Sequence, residues 1–359
     1  MSSNSALTFP THIKTVLITG ASGFVGRKLV QLLLADHPHL RLITTDIHRP
    51  PTYGIEDEEK LVAVAVDLAD KEQVGSLFGY GPVQGVFALH GIMSGQSEKD
   101  FTLGYAINLY SHLNLIAATT EHAQKQSRGG ESVKPVYVNV SSLAVYGGEK
   151  ATPSSTVVPE DTPLIPETSY GVCKNVIEMI VYDHARKGFL AARTVRLPTV
   201  CVRTGAPSSA ASSFISSLIR EPLQGQPAVC PIASSPEDPI LEEMGIYVTR
   251  TKTVVRNIAY AMGLSDEEVV GRVGKLRTMN LPGIKINTRV ILDALQKFGG
   301  DKATSLVSYS KDPAVIAICE TWAGDYDSSA VEALGFQVDS RETGYEDAVR
   351  DFVEELKKD

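Results

Sequence analysis

Apolar residues fall into short unbroken runs that alternate with longer stretches of helical spacing. Thr15-Val16-Leu17-Ile18-Thr19 ends at Gly20 and reads as a buried strand. A helical pattern through Leu29, Leu32 and Leu33 follows and closes at His37-Pro38, because proline cannot continue a helix. Further apolar runs at 40–45, 61–66, 85–89, 135–140 and 192–197 end at Asp46, Asp67, His90, Ser141-Ser142 and Pro198. Helical stretches are expected over 100–124, with Leu103, Ile107, Leu113 and Ile116, and over 168–187. Strands apolar on both faces, alternating with helices, predict an α/β fold with a doubly wound parallel sheet of Rossmann type. Ligands of such sheets sit beyond the carboxyl ends of the strands.

After Pro198 the alternation weakens. Residues 203–239 are rich in Ser, Pro and Gly around a helix-like segment at 210–220, and a charged helix is expected over 344–358. Three parts are predicted: a flexible tail over 1–12, a dinucleotide-binding domain over 13–200, and a smaller substrate-binding lobe over 201–359. The lobe is expected to return some elements to the domain.

Composition narrows the partners. The 359 residues carry 34 basic and 42 acidic side chains, a net charge of −8, with no basic block. That argues against nucleic acid, which needs clustered Lys and Arg. No apolar run approaches the roughly 18 residues of a membrane helix, and the N-terminal residues lack a signal-peptide core. Cys173, Cys201, Cys230 and Cys319 stand far apart, as idle or buried thiols of a reducing, cytoplasmic compartment do. The eight histidines are scattered without HExxH spacing, so no metal site is expected. His37 and His39 read as surface residues. His90, at a strand end, reads equally as a ligand contact or a satisfied structural histidine.

Gly20-Ala21-Ser22-Gly23-Phe24-Val25-Gly26 joins the first strand to its helix. Glycines let backbone approach a pyrophosphate, which rests on the free N–H groups of the helix N-terminus. Asp46 stands twenty residues beyond Gly26, placed to accept ribose hydroxyls and repel a 2′-phosphate, which favours NAD over NADP. Arg49 lies near enough to soften that preference. Asp67 and Leu68, and then Leu89, His90 and Gly91, are further candidate cofactor contacts at strand ends.

Tyr170 and Lys174 stand one helical turn apart on one face. An ammonium beside a phenol favours the phenolate, so the pair suits proton exchange. Tyr146 and Lys150 share the spacing but are separated by Gly147-Gly148, where helical geometry does not apply. Ser142 ends the preceding strand and can hydrogen-bond a substrate oxygen. Asn108 can hold a water beside Lys174.

TGASGFVG, the Asp46 strand end, VNVSSLAVYGG, SYGVCK and RLPTV together resemble the extended short-chain dehydrogenases/reductases over nearly the whole chain. The resemblance implies catalytic Ser142, Tyr170 and Lys174 with Asn108 as fourth member, and cofactor contacts from Asn108, Tyr170 and Lys174. It also implies Pro198, Thr199 and Val200 beside the nicotinamide, and a homodimer pairing the Asn108 and Tyr170 helices. His90-Gly91 departs from the small-residue pair usual there.

Residues 90–95, 201–214 and 219–223 are similar to a branch that oxidises the 2-hydroxyl of a four-carbon sugar acid, with departures at Thr204 and Ser208-Ser209. A sugar acid needs a cation for its carboxylate. Arg203 and Arg220 are the first candidates, Arg250 and Lys252 the alternatives, and Ser94, Ser212 and Ser213 can bind hydroxyls. The leading expectation is an NAD-dependent oxidoreductase for a small hydroxy or oxo acid. The alternatives are a nucleotide-sugar epimerase or dehydratase, a carbonyl reductase of a secondary-metabolite intermediate, and a non-catalytic dinucleotide-binding regulator.

Overall fold

The computed structural model describes residues 7–127, 134–151, 157–205 and 211–357. The apolar runs form β1 (Thr15–Thr19), β2 (Arg41–Asp46), β3 (Leu61–Ala65), β4 (Gly85–Ala88), β5 (Val136–Ser142) and β6 (Ala191–Leu197). Shorter strands follow: β7 (Thr199–Cys201), β8 (Ala228–Cys230), β9 (Ile246–Arg250), β10 (Thr278–Asn280), β11 (Ile284–Ile286) and β12 (Val307–Tyr309). Seven strands make one parallel sheet in the order β10-β6-β5-β4-β1-β2-β3. The direction of winding reverses between β1 and β4, whose register pairs Thr19 with Ala88. A crevice therefore opens beyond those two residues.

The pleat explains why these strands are apolar throughout. Val16 and Ile18 pack on Leu29, Val30 and Leu33 of the Phe24–Asp36 helix and on Val254 and Ile258 of the Thr251–Gly263 helix. Leu17, on the opposite face, meets Leu115 and Ile116 of the Ser111–Ser127 helix and Ile177 of the Ser169–Arg186 helix. Both faces are thus covered.

Beyond Pro198 the chain builds a three-stranded sheet, β11-β9-β7, and a β12-β8 pair. The Ser213–Leu223, Thr288–Thr304 and Gly344–Leu356 helices enclose a second core with Ile215, Leu218, Ile291, Leu295, Val349 and Phe352. β10 and the Thr251–Gly263 helix return to the large sheet.

Three expectations need correction. Residues 7–12 are not a loose tail: Phe9 stacks on the His37 ring, centroids 4.2 Å apart, and Gly263 lets Thr8 lie against its helix. His37 is accordingly buried, and burial lowers its basicity. The helix expected over 100–124 forms as Phe101–Tyr105, a π-helical turn Ala106–Tyr110 and Ser111–Ser127. The first six residues of the tail, and 206–210 with Ser208, Ser209 and the start of the expected 210–220 helix, lie outside the described residues; that helix is described from Ser213.

Candidate active site

A cavity of about 830 Å³ runs from the β1 turn across the sheet crevice into the smaller lobe. Gly20, Ser22, Gly23, Phe24, Val25 and Gly26 form its first wall. The turn needs glycine at two places. A Cβ on Gly26 would lie 2.1 Å from the Gly20 carbonyl oxygen, and Gly20, at φ +68°, approaches His90 so closely that a Cβ would meet its amide at 2.7 Å. Gly23 caps the following helix without a side-chain partner, so the helix's first N–H groups are open to the cavity.

Asp46 stands at the end of β2 on the same cavity. Its carboxylate oxygens accept from the Ser22 amide at 2.9 Å and the Ile47 amide at 2.8 Å, which fixes it while leaving a lone pair on each oxygen. Arg49 turns away and donates to the Ala63 carbonyl at 3.0 Å. Asp67, Leu68 and Leu89 also line the cavity. These donors and acceptors, with the glycine cradle, suit a dinucleotide whose ribose carries no phosphate.

Ser142, Tyr170 and Lys174 meet on the next stretch of wall. Gly171 lets the Ser169–Arg186 helix press on the turn after Ser142, since a Cβ there would lie 2.2 Å from the Ala144 carbonyl oxygen. Thr168 caps that helix by accepting from the Gly171 amide at 3.1 Å. Tyr170 shares a hydrogen bond with Ser142. Lys174 is buried, donates to the Val140 carbonyl at 2.9 Å, and sits 5.7 Å from the Tyr170 ring centroid. Burial pushes its ammonium down to about 8. The phenol departs from expectation: burial raises it, and the opposing influences are Ser142 and Arg203 rather than Lys174.

Two other predicted residues take structural places. Asn108 is fully buried behind the cavity wall, and its amide clamps Ile92 of the loop after β4 to Ser97 of the Ser94–Lys99 helix. Its Oδ1 accepts from the Ile92 amide at 2.9 Å, and its Nδ2 donates to Ser97 Oγ at 2.9 Å and to the Ile92 carbonyl at 3.1 Å. Both amide hydrogens are thereby used, while Oδ1 keeps a second lone pair. Gly91 lines the cavity and permits this close approach, as a Cβ would lie 2.8 Å from Asn108 Oδ1. His90 also lines the cavity, yet both ring nitrogens are bound by protein. Ser111 gives its proton to the Ile107 carbonyl at 2.5 Å, so it accepts from His90 Nε2 at 3.0 Å, and His90 Nδ1 accepts from Thr19 at 2.7 Å. The ring stacks on His112, and burial pushes it down to about 3, so it stays neutral.

The sequence profile of the NAD-dependent epimerase/dehydratase family matches residues 16–237. The chain belongs to that family. It is an NAD-dependent oxidoreductase of the extended short-chain dehydrogenase/reductase class, acting on CH–OH groups. It is 34% identical to the D-erythronate dehydrogenase of Cupriavidus necator over 95% of this chain and 98% of that protein. Identity is 30% to the D-erythronate dehydrogenase of Haemophilus influenzae, over 94% and 98%. Among solved structures, the nucleoside-diphosphate-sugar epimerase from Agrobacterium tumefaciens superposes with a TM-score of 0.81 at 30% identity, covering 99% of this chain and 97% of that one.

The far end of the cavity is where members of such a family can differ. Ser94, Pro198, Val200, Arg203, Ser213 and Arg220 all line it. Arg220 is buried against Glu221 at 2.5 Å and donates to the Arg203 carbonyl, so its charge is spent within the protein. Arg203 donates Nε to the Val200 carbonyl at 3.2 Å, and among the described residues no carboxylate pairs with it. Arg250 and Lys252, the alternative cations, are held by Asp351 at 2.7 and 2.6 Å and do not line the cavity. Tyr146 of the decoy pair bonds Arg196 and Asn280 and is structural. Sequence reasoning missed Tyr247, Ile318, Trp322 and Tyr326, which also line the cavity. Tyr247 comes from β9 and the other three from residues 318–326, far in sequence from every motif of the cofactor half, although Trp322 is the sole tryptophan.

Proposed function

We propose that this enzyme oxidises the 2-hydroxyl of a small sugar acid such as D-erythronate to the 2-oxo acid with NAD. The observation that carries the reading is Arg203: a partly buried guanidinium, close enough to Tyr170 to lower its phenol, with no carboxylate partner among the described residues. An unpaired charge withdrawn from water is costly, and a substrate carboxylate accepting two N–H bonds offsets that cost. Ser213, at the start of the neighbouring helix, adds a favourable end for an anion.

The residues assigned to NAD are the open helix N–H groups of the first wall for the pyrophosphate, Asp46 for a ribose, and Pro198 and Val200 beside the nicotinamide. When bound, NAD supplies a hydride acceptor for the carbinol carbon. Ser142 holds the carbinol oxygen by a hydrogen bond. Tyr170 takes its proton as general base, and Lys174 supports the phenolate from the same helix face. Asn108 positions residues 91–93 and the start of the Ser94–Lys99 helix, which line the cavity. We also propose a homodimer through the helices that expose Tyr110 and Phe101 on one side and Val176 and Met179 on the other.

Arg203→Met tests the reading. Loss of one charge-assisted pair raises KM for sugar acids about 10–100-fold while NAD affinity holds. An unchanged KM removes Arg203 from the account. A nucleotide-sugar epimerase would instead return the hydride, giving product without net NADH.

A further inference from the structure

Residues 312–326 connect the two lobes at the substrate end of the cavity. Asp312 caps the Pro313–Cys319 helix, accepting from the Ala314 amide at 2.9 Å, with Pro313 at its first position. The chain then turns toward the catalytic serine. The Val158 amide donates to the Asp325 carbonyl at 3.0 Å, and the Asp327 amide donates to the Val158 carbonyl at 2.9 Å. Tyr326 packs its ring between Tyr146 at 5.4 Å and Tyr247 at 5.3 Å, in a cluster with Leu143 and Val145 just after Ser142. Ile318, Thr321, Trp322, Ala323 and Tyr326 all face the cavity from this pinned segment. It is a fixed wall.

The substrate end therefore has an anion pole at Arg203, an acid/base centre at Ser142 and Tyr170, and an aromatic wall. The wall lies beyond residue 237, where the match to the family profile ends. The wall thus lies outside the stretch that the family profile matches.

We propose that Trp322 is the specificity-determining residue that sets the length of the acid this enzyme accepts. The inference rests on the sugar-acid reading above. A carboxylate on Arg203 and a carbinol oxygen on Ser142 and Tyr170 fix two points of the substrate. The rest of its chain extends to the indole and stops there. The flat apolar ring packs on the C–H bonds of that chain.

Steady-state kinetics with NAD on a four-carbon and a six-carbon sugar acid test this, comparing wild type with Trp322→Ala and Trp322→Phe. A pocket wall moved by about one or two methylene lengths is worth about 10-fold or more in discrimination. Trp322→Ala raises the six-carbon to four-carbon ratio of kcat/KM by at least about 10-fold, mainly through KM, with NAD affinity unchanged. Trp322→Phe shifts it in the same direction by less, and serves alone if the alanine variant does not fold. An unchanged ratio in a folded variant still active on the four-carbon acid overturns the proposal. A wild type inert toward every sugar acid overturns the sugar-acid reading itself, and the proposal with it.

Discussion

Glu178 and Arg196 form a fully buried ion pair, with Arg196 Nη2 at 2.7 Å and Nε at 3.0 and 3.2 Å from the carboxylate oxygens. The carboxylate also accepts from Ser141 Oγ at 2.6 Å, and Arg196 reaches Tyr146 at 2.7 Å. Glu178 lies one helical turn beyond Lys174, Ser141 adjoins Ser142, and Arg196 precedes the Leu197-Pro198 border. One pair thus ties together β5, the Ser169–Arg186 helix and β6, the first two of which carry Ser142, Tyr170 and Lys174. Truncating one partner of such a pair leaves a buried charge and costs about 3–5 kcal/mol. Glu178→Ala is expected to lose that much in urea denaturation, and Glu178→Leu with Arg196→Met considerably less. Equal losses would show that packing, not the pair, holds the elements.

Gly26→Ala places a methyl where the Gly20 carbonyl oxygen already sits. The helix must then move off the turn, taking its open N–H groups with it. NAD titration should show at least about tenfold weaker binding, the loss of roughly one hydrogen bond to a charged group.

Asp46 faces the cavity, whereas Arg49 donates Nε to the Ala63 carbonyl and does not line it. Wild type should prefer NAD, and Asp46→Asn should narrow the NAD to NADP ratio of kcat/KM by about tenfold or more. A variant with the wild-type ratio would place cofactor choice elsewhere.

Burial pushes the Lys174 ammonium down to about 8 from an ordinary 10.5, while Cys173 and then Glu178 oppose the shift. Between those values the unfolded chain holds more protons, so stability rises with pH through that window. Below it the full penalty, roughly 3 kcal/mol, is present. Lys174→Met removes this titration. Wild type should therefore gain stability relative to Lys174→Met between pH 8 and 10.5. Parallel stability curves would contradict the burial of a charged lysine.

The cofactor half is legible in the sequence because each strand is an apolar run ended by a polar residue or glycine, and those ends converge on one crevice. Gly20, Asp46, Ser142 and Tyr170 all stand there. The smaller lobe is not legible, since β7, β8, β10, β11 and β12 have three residues each, too short to show a period. Choosing among cations also needed tertiary contacts. Arg250 is spent on Asp339, Asp347 and Asp351, about a hundred residues away, and only then does Arg203 stand out. Asn108 and His90 are at the positions expected, but their side chains bond Ile92 and Ser97, and Thr19 and Ser111, which no motif records.

The most direct test of the central claim follows NADH absorbance when the protein meets NAD and D-erythronate, L-threonate or longer sugar acids, with Tyr170→Phe alongside. The account predicts NADH from a small sugar acid, and a loss of about 10²–10⁴-fold in turnover in Tyr170→Phe with NAD binding retained. No NADH from any acid, or undiminished turnover without the phenol, would contradict it.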